Sequence, residues 1–527
     1  MRFRSKLLYA VAILTVTIGM FAVPSLRDAI AQLAPSPIGS ALQSGSGIDA
    51  SQLDALRRFY AARQNTPAWH DRGSLNADGR AALAVLSKAA EDGLDPSRYE
   101  LDNLARPFAA GDSSALAYRD LTFTATLLRY SSDMLDGRST LRRIDSDIDL
   151  PLSGYDTAAG INQALAAHKI ADFLWGLAPQ LPQYTPLKAA LAQYRALAAK
   201  GGWPSFAARK AFDAASASPE TFTELQRRLA FEDPALAGDL TVSVDILDAA
   251  VKRFQARNGL EADGRVGQTT IAQLNISASD RAAQIAANME RLRWLPHALE
   301  ASYVWVNVPD ASLVVMENGA SVLTSRVIAG RPHDRTPIFR AEITSVVANP
   351  PWIVPAVIAR REIAPKAAAN PNYLAHNHIV FENGQYRQIP GLDNALGYVK
   401  LNVSDHFSVY LHDTPARSLF ARQNRFLSHG CIRVQQIRPL ASYALSGDVQ
   451  SGIDRLEAAI ATTQTTLLAI KVPIPVYVVY FTAFPSSDGI QFRSDIYGRD
   501  KRIIPTMFGA TSFAQAFPGV SGCREKA

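Results

Sequence analysis

Cysteine is almost missing from this sequence: Cys431 and Cys523 are the only two in 527 residues. So few exclude a disulfide framework and a four-cysteine zinc site, and a chain this long buries large cores without covalent staples. Glycine and proline, at 31 and 30, show neither a period nor a low-complexity tract, which removes the collagen-like class. With 48% apolar and 19% charged residues, disorder over most of the length is also excluded. Charge of one sign is scarce. The formal charge is +6, and Arg2, Arg4, Lys6 and Arg27 against Asp28 supply half of it, leaving about +3 for the rest. No run of basic residues marks a nucleic-acid arm, so no nucleic acid is expected as a partner. Past the N-terminus no apolar run is long enough for a second membrane crossing.

What is present begins with an export-like N-terminus. Arg2, Arg4 and Lys6 precede an apolar run from Leu7 to Val23, and Ala29-Ile30-Ala31 offers small residues at a cleavage site. Residues 1–31 therefore read as a signal peptide or an N-terminal anchor, with the body of the protein outside the cytoplasm.

The length suggests three or four domains. A Pro/Ser/Gly-rich stretch over 32–47 reads as a linker. Helical spacing dominates 48–235, as in Leu53, Leu56, Phe59 and Tyr60 or Leu187, Leu191, Tyr194 and Leu197, and predicts an all-helical scaffold without a cluster of titratable side chains. Over 240–278 a helix bearing Leu247, Val251 and Phe254 leads into Asn258-Gly259-Leu260 and the turn Asp263-Gly264. The pattern Val251-x-x-Phe254-Gln255-x-x-x-Gly259-Leu260-x-x-Asp263-Gly264-x-x-Gly267-x-x-Thr270 resembles the type 1 peptidoglycan-binding domain, a small three-helix unit. The alternative is a helical spacer that binds nothing, because these residues mostly hold a fold.

From about 302 the period becomes two. Tyr303–Val308, Ser312–Met316, Val322–Ala329, Ile343–Val347 and Phe407–Leu411 predict strands of a β-rich domain over 302–472. Residues 355–398 interrupt it with a helical stretch and Asn-Pro and Pro-Gly steps, and an insertion of that length reads as a cap. A hairpin over 473–505, Val476–Phe484 with Ile490–Ile496, completes the fold, and 506–527 form a tail. The whole is a multidomain α+β protein.

The sharpest chemical signal is Tyr410-Leu411-His412-Asp413-Thr414 followed, sixteen residues after His412, by Ser428-His429-Gly430-Cys431-Ile432-Arg433. A thiol is a strong nucleophile only as thiolate, so a catalytic Cys431 needs a base, and His412 and His429 are the candidates. Strand alternation places His412 on one face with Ser408 and Tyr410. Gly430 would let the amides of Gly430 and Cys431 approach a substrate carbonyl as an oxyanion hole. Other readings stand beside this one. Cys431 and Cys523 could pair as a disulfide, leaving a non-catalytic wall-binding scaffold, and His412, His429 and Cys431 could be metal ligands, although no fourth ligand stands at a familiar spacing. His376 and His378 in the insertion read as surface residues.

The His412 to Arg433 pattern resembles the signature of L,D-transpeptidases with a YkuD-type catalytic domain. The large Gram-negative subfamily is matched further by Gly397-Tyr398-Val399-Lys400, His412-Asp413-Thr414-Pro415 and Phe492-Arg493-x-Asp495-Ile496-Tyr497-Gly498-x-Asp500, and in the helical half by Asp92-Gly93-Leu94-x-Pro96-x-x-Tyr99 and Tyr194-Arg195-x-Leu197-Ala198-x-x-Gly201-Gly202-Trp203-Pro204. The resemblance implies a periplasmic, monomeric enzyme without cofactor or resident metal, acting on diaminopimelate-type peptidoglycan stems. Cys431 would be the nucleophile and His412 the proton donor and acceptor. His429 would be the second histidine, Ser428 would orient the imidazoles, Gly430 would serve the oxyanion hole, and Arg433 and Tyr410 would bind substrate. The acceptor would be a second stem amine, giving 3-3 cross-links, or else water or the N-terminus of an outer-membrane protein.

Overall fold

The computed structural model describes residues 36–45, 50–208, 210–236, 238 and 242–508; the expected signal segment and Cys523 lie outside them. Among the described residues no helix is long and apolar enough to cross a membrane.

The linker expected over 32–47 contains a helix. Ser36 accepts from the Gly39 amide as N-cap, Pro37 occupies the first turn, Gly45 ends the helix at φ +63°, and Ile38 and Leu42 are buried. The Ser, Pro and Gly that suggested a linker are here capping residues. This helix packs with Ala50–Ala61, Ala77–Leu86, Ser113–Leu135, Thr157–Ala166 and Ile170–Gly176 around Phe59, Trp69, Phe123 and Leu127.

The helical half is neither one body nor all-helical. Helix Tyr184–Ala199 joins the hydrophobic core of the β-rich domain, and Ile148–Asp149 adds a parallel strand beside Ile338–Phe339. Between the segments assigned from sequence runs Ala278–Arg293, buried on nearly every side, including Arg281, Glu290, Arg291 and Arg293. Buried charges survive only when paired. Arg293 Nη1 lies 3.2 Å from Glu290, Arg291 Nη2 lies 2.6 Å from Asp500, and the Trp294 indole donates to Glu290 at 3.0 Å.

The small helical unit starts earlier than residue 240. Pro219–Ala230, Val244–Arg257 and Gln268–Leu274 share one core built on Leu225, Leu229, Leu247, Phe254 and Leu274. Its motif residues brace the turn: Gln255 donates to Asp263 at 2.9 Å and accepts from the Gly264 amide at 2.9 Å.

The β-rich domain is a ten-stranded mixed sheet that closes on itself. The order runs Val399–Val403, Leu411–His412, Ile432–Val434, Ala320–Gly330, Ser312–Glu317, Ser302–Asn307, Thr466–Val479 and Ile338–Ala348, which pairs back to Val399–Val403. Closure removes the open edges. Thr466–Val479 is one long strand, so the C-terminal hairpin is only Ala483–Ser486 with Gly489–Phe492, followed by helix Arg499–Met507. The insertion forms its own layer. Helical turns over 356–369 pack on a three-stranded sheet of Trp352–Ile353, Gln385–Gln388 and Ile379–Glu382, around Val354, Ile363 and Ile379.

Candidate active site

Three neighbouring strands set the site. Leu411–His412 runs parallel to Ile432–Val434, with His412 opposite Arg433, and antiparallel to Val399–Val403, with His412 opposite Lys400. Val399, Leu401, Leu411, Ile432 and Val434 fill the core, so alternation turns Lys400, His412 and Arg433 to the other face. The strand expected over Phe407–Leu411 is shorter than its alternation suggested. Regular pairing begins at Leu411, and Ser408 takes φ +59°.

That departure brings the backbone around Cys431. Its Sγ lies 3.9 Å from the Ser408 carbonyl, and the Ile432 amide donates to the Tyr410 carbonyl at 3.1 Å. Burial pushes the Cys431 thiol up and Asp405 adds to the rise, while the Tyr410 amide and hydroxyl and the Lys400 charge oppose it. The Tyr410 hydroxyl touches both the thiol and the Trp352 side chain of the insertion, and burial pushes its own pKa up. Among the described residues Cys431 has no disulfide partner.

His412 is buried, with Nδ1 2.5 Å from the Asp413 carbonyl. A carbonyl only accepts, so Nδ1 carries the hydrogen and Nε2 presents its lone pair. Burial first, then Arg433 and Lys400, lower its pKa to about 3, so the ring is neutral at neutral pH. His412, Cys431, Ser428, His429, Gly430, Arg433 and Tyr410 all line one cleft of about 720 Å³. Among the described residues no hydrogen bond joins His412 to Cys431.

Ser428 and Gly430 are tied into the turn that carries Cys431. Ser428 Oγ donates to the Cys431 carbonyl at 2.6 Å and accepts from the Gly430 amide at 3.2 Å, so it braces the turn. Gly430 has φ +113°, a region that favours glycine, and its carbonyl accepts from Thr336 Oγ1 at 2.7 Å. The Gly430 amide is engaged by Ser428 in this arrangement.

His429 faces the insertion. Its Nε2 lies 2.5 Å from Glu362 Oε1, and Arg331 and Arg361 hold Asp334 at 2.8 Å each, with Arg331 also 3.4 Å from Glu362. Burial works against ionisation of Glu362, but the His429 hydrogen bond and charge and then Arg331 hold its carboxyl below the usual range. Arg433 lines the cleft, its buried Nε has no partner among the described residues, and burial lowers its pKa. His376 and His378 lie away from this cleft, with His378 3.7 Å from Asp393 at the surface. Among the described residues no group of three or more His, Cys, Asp or Glu could hold a metal ion.

Sequence reasoning assigned no role to Glu362, Thr336, Trp352 or Lys400. Glu362 sits in an ordinary charged helical run, and Thr336 and Trp352 lie far from the motif in sequence. Only Lys400, a lysine between the apolar Val399 and Leu401 of a strand, carried a local signal.

Three family models match the chain: a scaffold domain over residues 54–191, a "putative peptidoglycan binding domain" over 219–274, and an L,D-transpeptidase catalytic domain (YkuD) over 301–461. A Haemophilus influenzae protein named "putative L,D-transpeptidase" is 35% identical over 243 residues, which is 42% of this chain and 48% of that protein, so the chain spans about half the length of this relative. Among solved structures, an L,D-transpeptidase from Xylanimonas cellulosilytica matches at 14% identity, over 52% of this chain and 98% of that one, with a TM-score of 0.19. L,D-transpeptidase 1 of Mycobacterium tuberculosis matches at 15% identity over 34% and 61%, with a TM-score of 0.16.

Proposed function

We propose that this chain, whose residues 301–461 are an L,D-transpeptidase catalytic domain, is an exported enzyme that cross-links peptidoglycan stems through a thioester on Cys431. The observation that carries the reading is the Cys431 thiol in a cleft beside a neutral His412 with a free Nε2 and under the hydroxyl and amide of Tyr410.

In this reading the Cys431 sulfur attacks the carbonyl of diaminopimelate at the third position of a tetrapeptide stem. His412 Nε2 takes the thiol proton as the S–C bond forms and gives it to the departing amine, so D-alanine leaves and a thioester remains. The amine of a second stem then attacks the thioester, His412 removes its extra proton, and the thiol is restored with a 3-3 cross-link made. The Cys431 amide and the Tyr410 hydroxyl are the donors left to follow the charge from sulfur to the carbonyl oxygen. Arg433, a cleft-lining guanidinium with no ion pair among the described residues, meets a stem carboxylate. His429, tied to Glu362, joins the cap to the catalytic turn. The peptidoglycan-binding unit raises the local concentration of stems.

The test is mass spectrometry of products formed by the full chain from a disaccharide tetrapeptide of the diaminopimelate type, beside Cys431→Ala. A dimer lighter than two substrates by one alanine, absent from the variant, is the expected result. Tripeptide alone would assign water, or an absent protein amine, as the acceptor. Unchanged substrate with folded, reduced protein would overturn the reading.

A further inference from the structure

Lys400 stands out as a cation with no carboxylate beside it. Among the described residues neither it nor Arg433 forms an ion pair, whereas Arg331, Arg361 and Arg417 around the same site are each matched with an acid. Instead its Nζ lies 4.3 Å from the centre of the Tyr410 ring, and its strand position is directly opposite His412. An ammonium over an aromatic face is held by the ring quadrupole. Lys400 does not line the cleft, so substrate does not explain it. Burial pulls its pKa down, and the opposing pull comes from Cys431.

We infer that Lys400 is a positioning residue whose half-buried charge, delivered from behind Tyr410, stabilises the Cys431 thiolate and so shifts the pH range in which the nucleophile forms. The inference rests on the reading of Cys431 as nucleophile. Burial disfavours the Cys431 thiolate, and the Lys400 charge works against that penalty as the thiol proton passes to His412. The charged and titratable groups around the sulfur are His412, Lys400, Arg433, Asp405 and Tyr410, and those around Lys400 are His412, Tyr410 and Cys431. Arg433 attracts the thiolate from the neighbouring strand but lines the cleft, where a bound carboxylate would consume its charge. Lys400 keeps its charge for the sulfur throughout.

The experiment follows the pH dependence of iodoacetamide alkylation at Cys431 in the full chain, read by peptide mass spectrometry so that Cys523 is scored separately. Lys400→Met should raise the Cys431 pKa by about one unit, the low end of what a nearby charge does. That is about a tenfold loss of thiolate at neutral pH, with a matching fall in kcat/KM and little change in KM. Lys400→Arg should restore most of it. A Cys431 pKa in folded Lys400→Met equal to that of wild type overturns the inference. Should that variant fail to fold, the reciprocal measurement on wild type decides: carbon NMR of Lys400 before and after capping Cys431 with a neutral carbamidomethyl group. A lower Lys400 pKa after capping supports the coupling, and no shift overturns it. If wild type forms neither dimer nor tripeptide, the nucleophile reading fails, while the thiol comparison still decides the role of Lys400.

Discussion

At the scale of single residues, His412 and Gly430 have the least freedom. Burial, Arg433 and Lys400 lower the His412 pKa to about 3, whereas in an unfolded chain histidine titrates near ~6.5. Between those values the unfolded state binds a proton that the folded state refuses, so the contribution to stability is whole above the unfolded value and is lost as pH falls toward the folded one. Urea midpoints at pH 7 and pH 4.5, both within the buffer range of the experiment, should therefore drop more in wild type than in His412→Asn; parallel drops would argue against a buried neutral imidazole. Gly430→Ala places a β-carbon 3.3 Å from the Arg335 carbonyl and forces alanine to φ +113°. A loss of about 1–3 kcal/mol is expected in chemical denaturation, together with loss of transpeptidation, because the strain falls on the turn that presents Cys431.

At the scale of elements, the cap and the barrel meet through charges. Glu362 with His429 and Arg361 with Asp334 pin helical residues 356–369 over the cleft, and the Trp352 contact with Tyr410 ties the cap sheet to the nucleophile. In the proposed reaction the thioester is open to water as well as to amines, so a cap that stays closed would favour cross-linking. Glu362→Ala removes the carboxylate that His429 holds. The ratio of hydrolysed tripeptide to cross-linked dimer should rise severalfold, and a ratio unchanged in a folded variant would show that these pairs do not govern closure. The latch also has a pH sense. A carboxyl held below its usual range stays ionised under mildly acidic conditions, and its contribution disappears only as pH falls through that lowered value.

At the scale of the whole molecule, helix Ala278–Arg293 joins what the sequence divides. It packs against Tyr184–Ala199, against the hairpin strand Ala483–Ser486 and against Arg499–Met507, and its Arg291 is neutralised by Asp500, distant in the chain. Asp500 accepts from Thr482 Oγ1 at 2.6 Å and pairs with buried Arg291. Asp500→Ala leaves that guanidinium buried without its counter-charge, and the expected cost is about 3–5 kcal/mol. Calorimetry should show the melting transition of the barrel moving down; an unchanged transition would mean that Arg291 finds another partner or reaches water.

The sequence by itself determined the kinds of element and singled out a candidate chemistry. The Ser428–Arg433 run with His412 offered a thiol and two imidazoles in one short segment, the set from which a nucleophile and a base would be drawn. Periodicity separated a helical half from a β-rich half, because burial on one face imposes its period on the residues. Tertiary structure alone decided which side chains surround the sulfur. Lys400, Glu362, Thr336 and Trp352 reach the site through strand register, a cap fold and loop closure, and those depend on pairings between residues far apart, which no local pattern records. The same holds for boundaries. Pro37–Ser44, Pro219–Ala230 and Ala278–Arg293 belong to cores assembled from distant segments, and membership of a core is fixed by what packs against a face, which the face's own sequence does not specify.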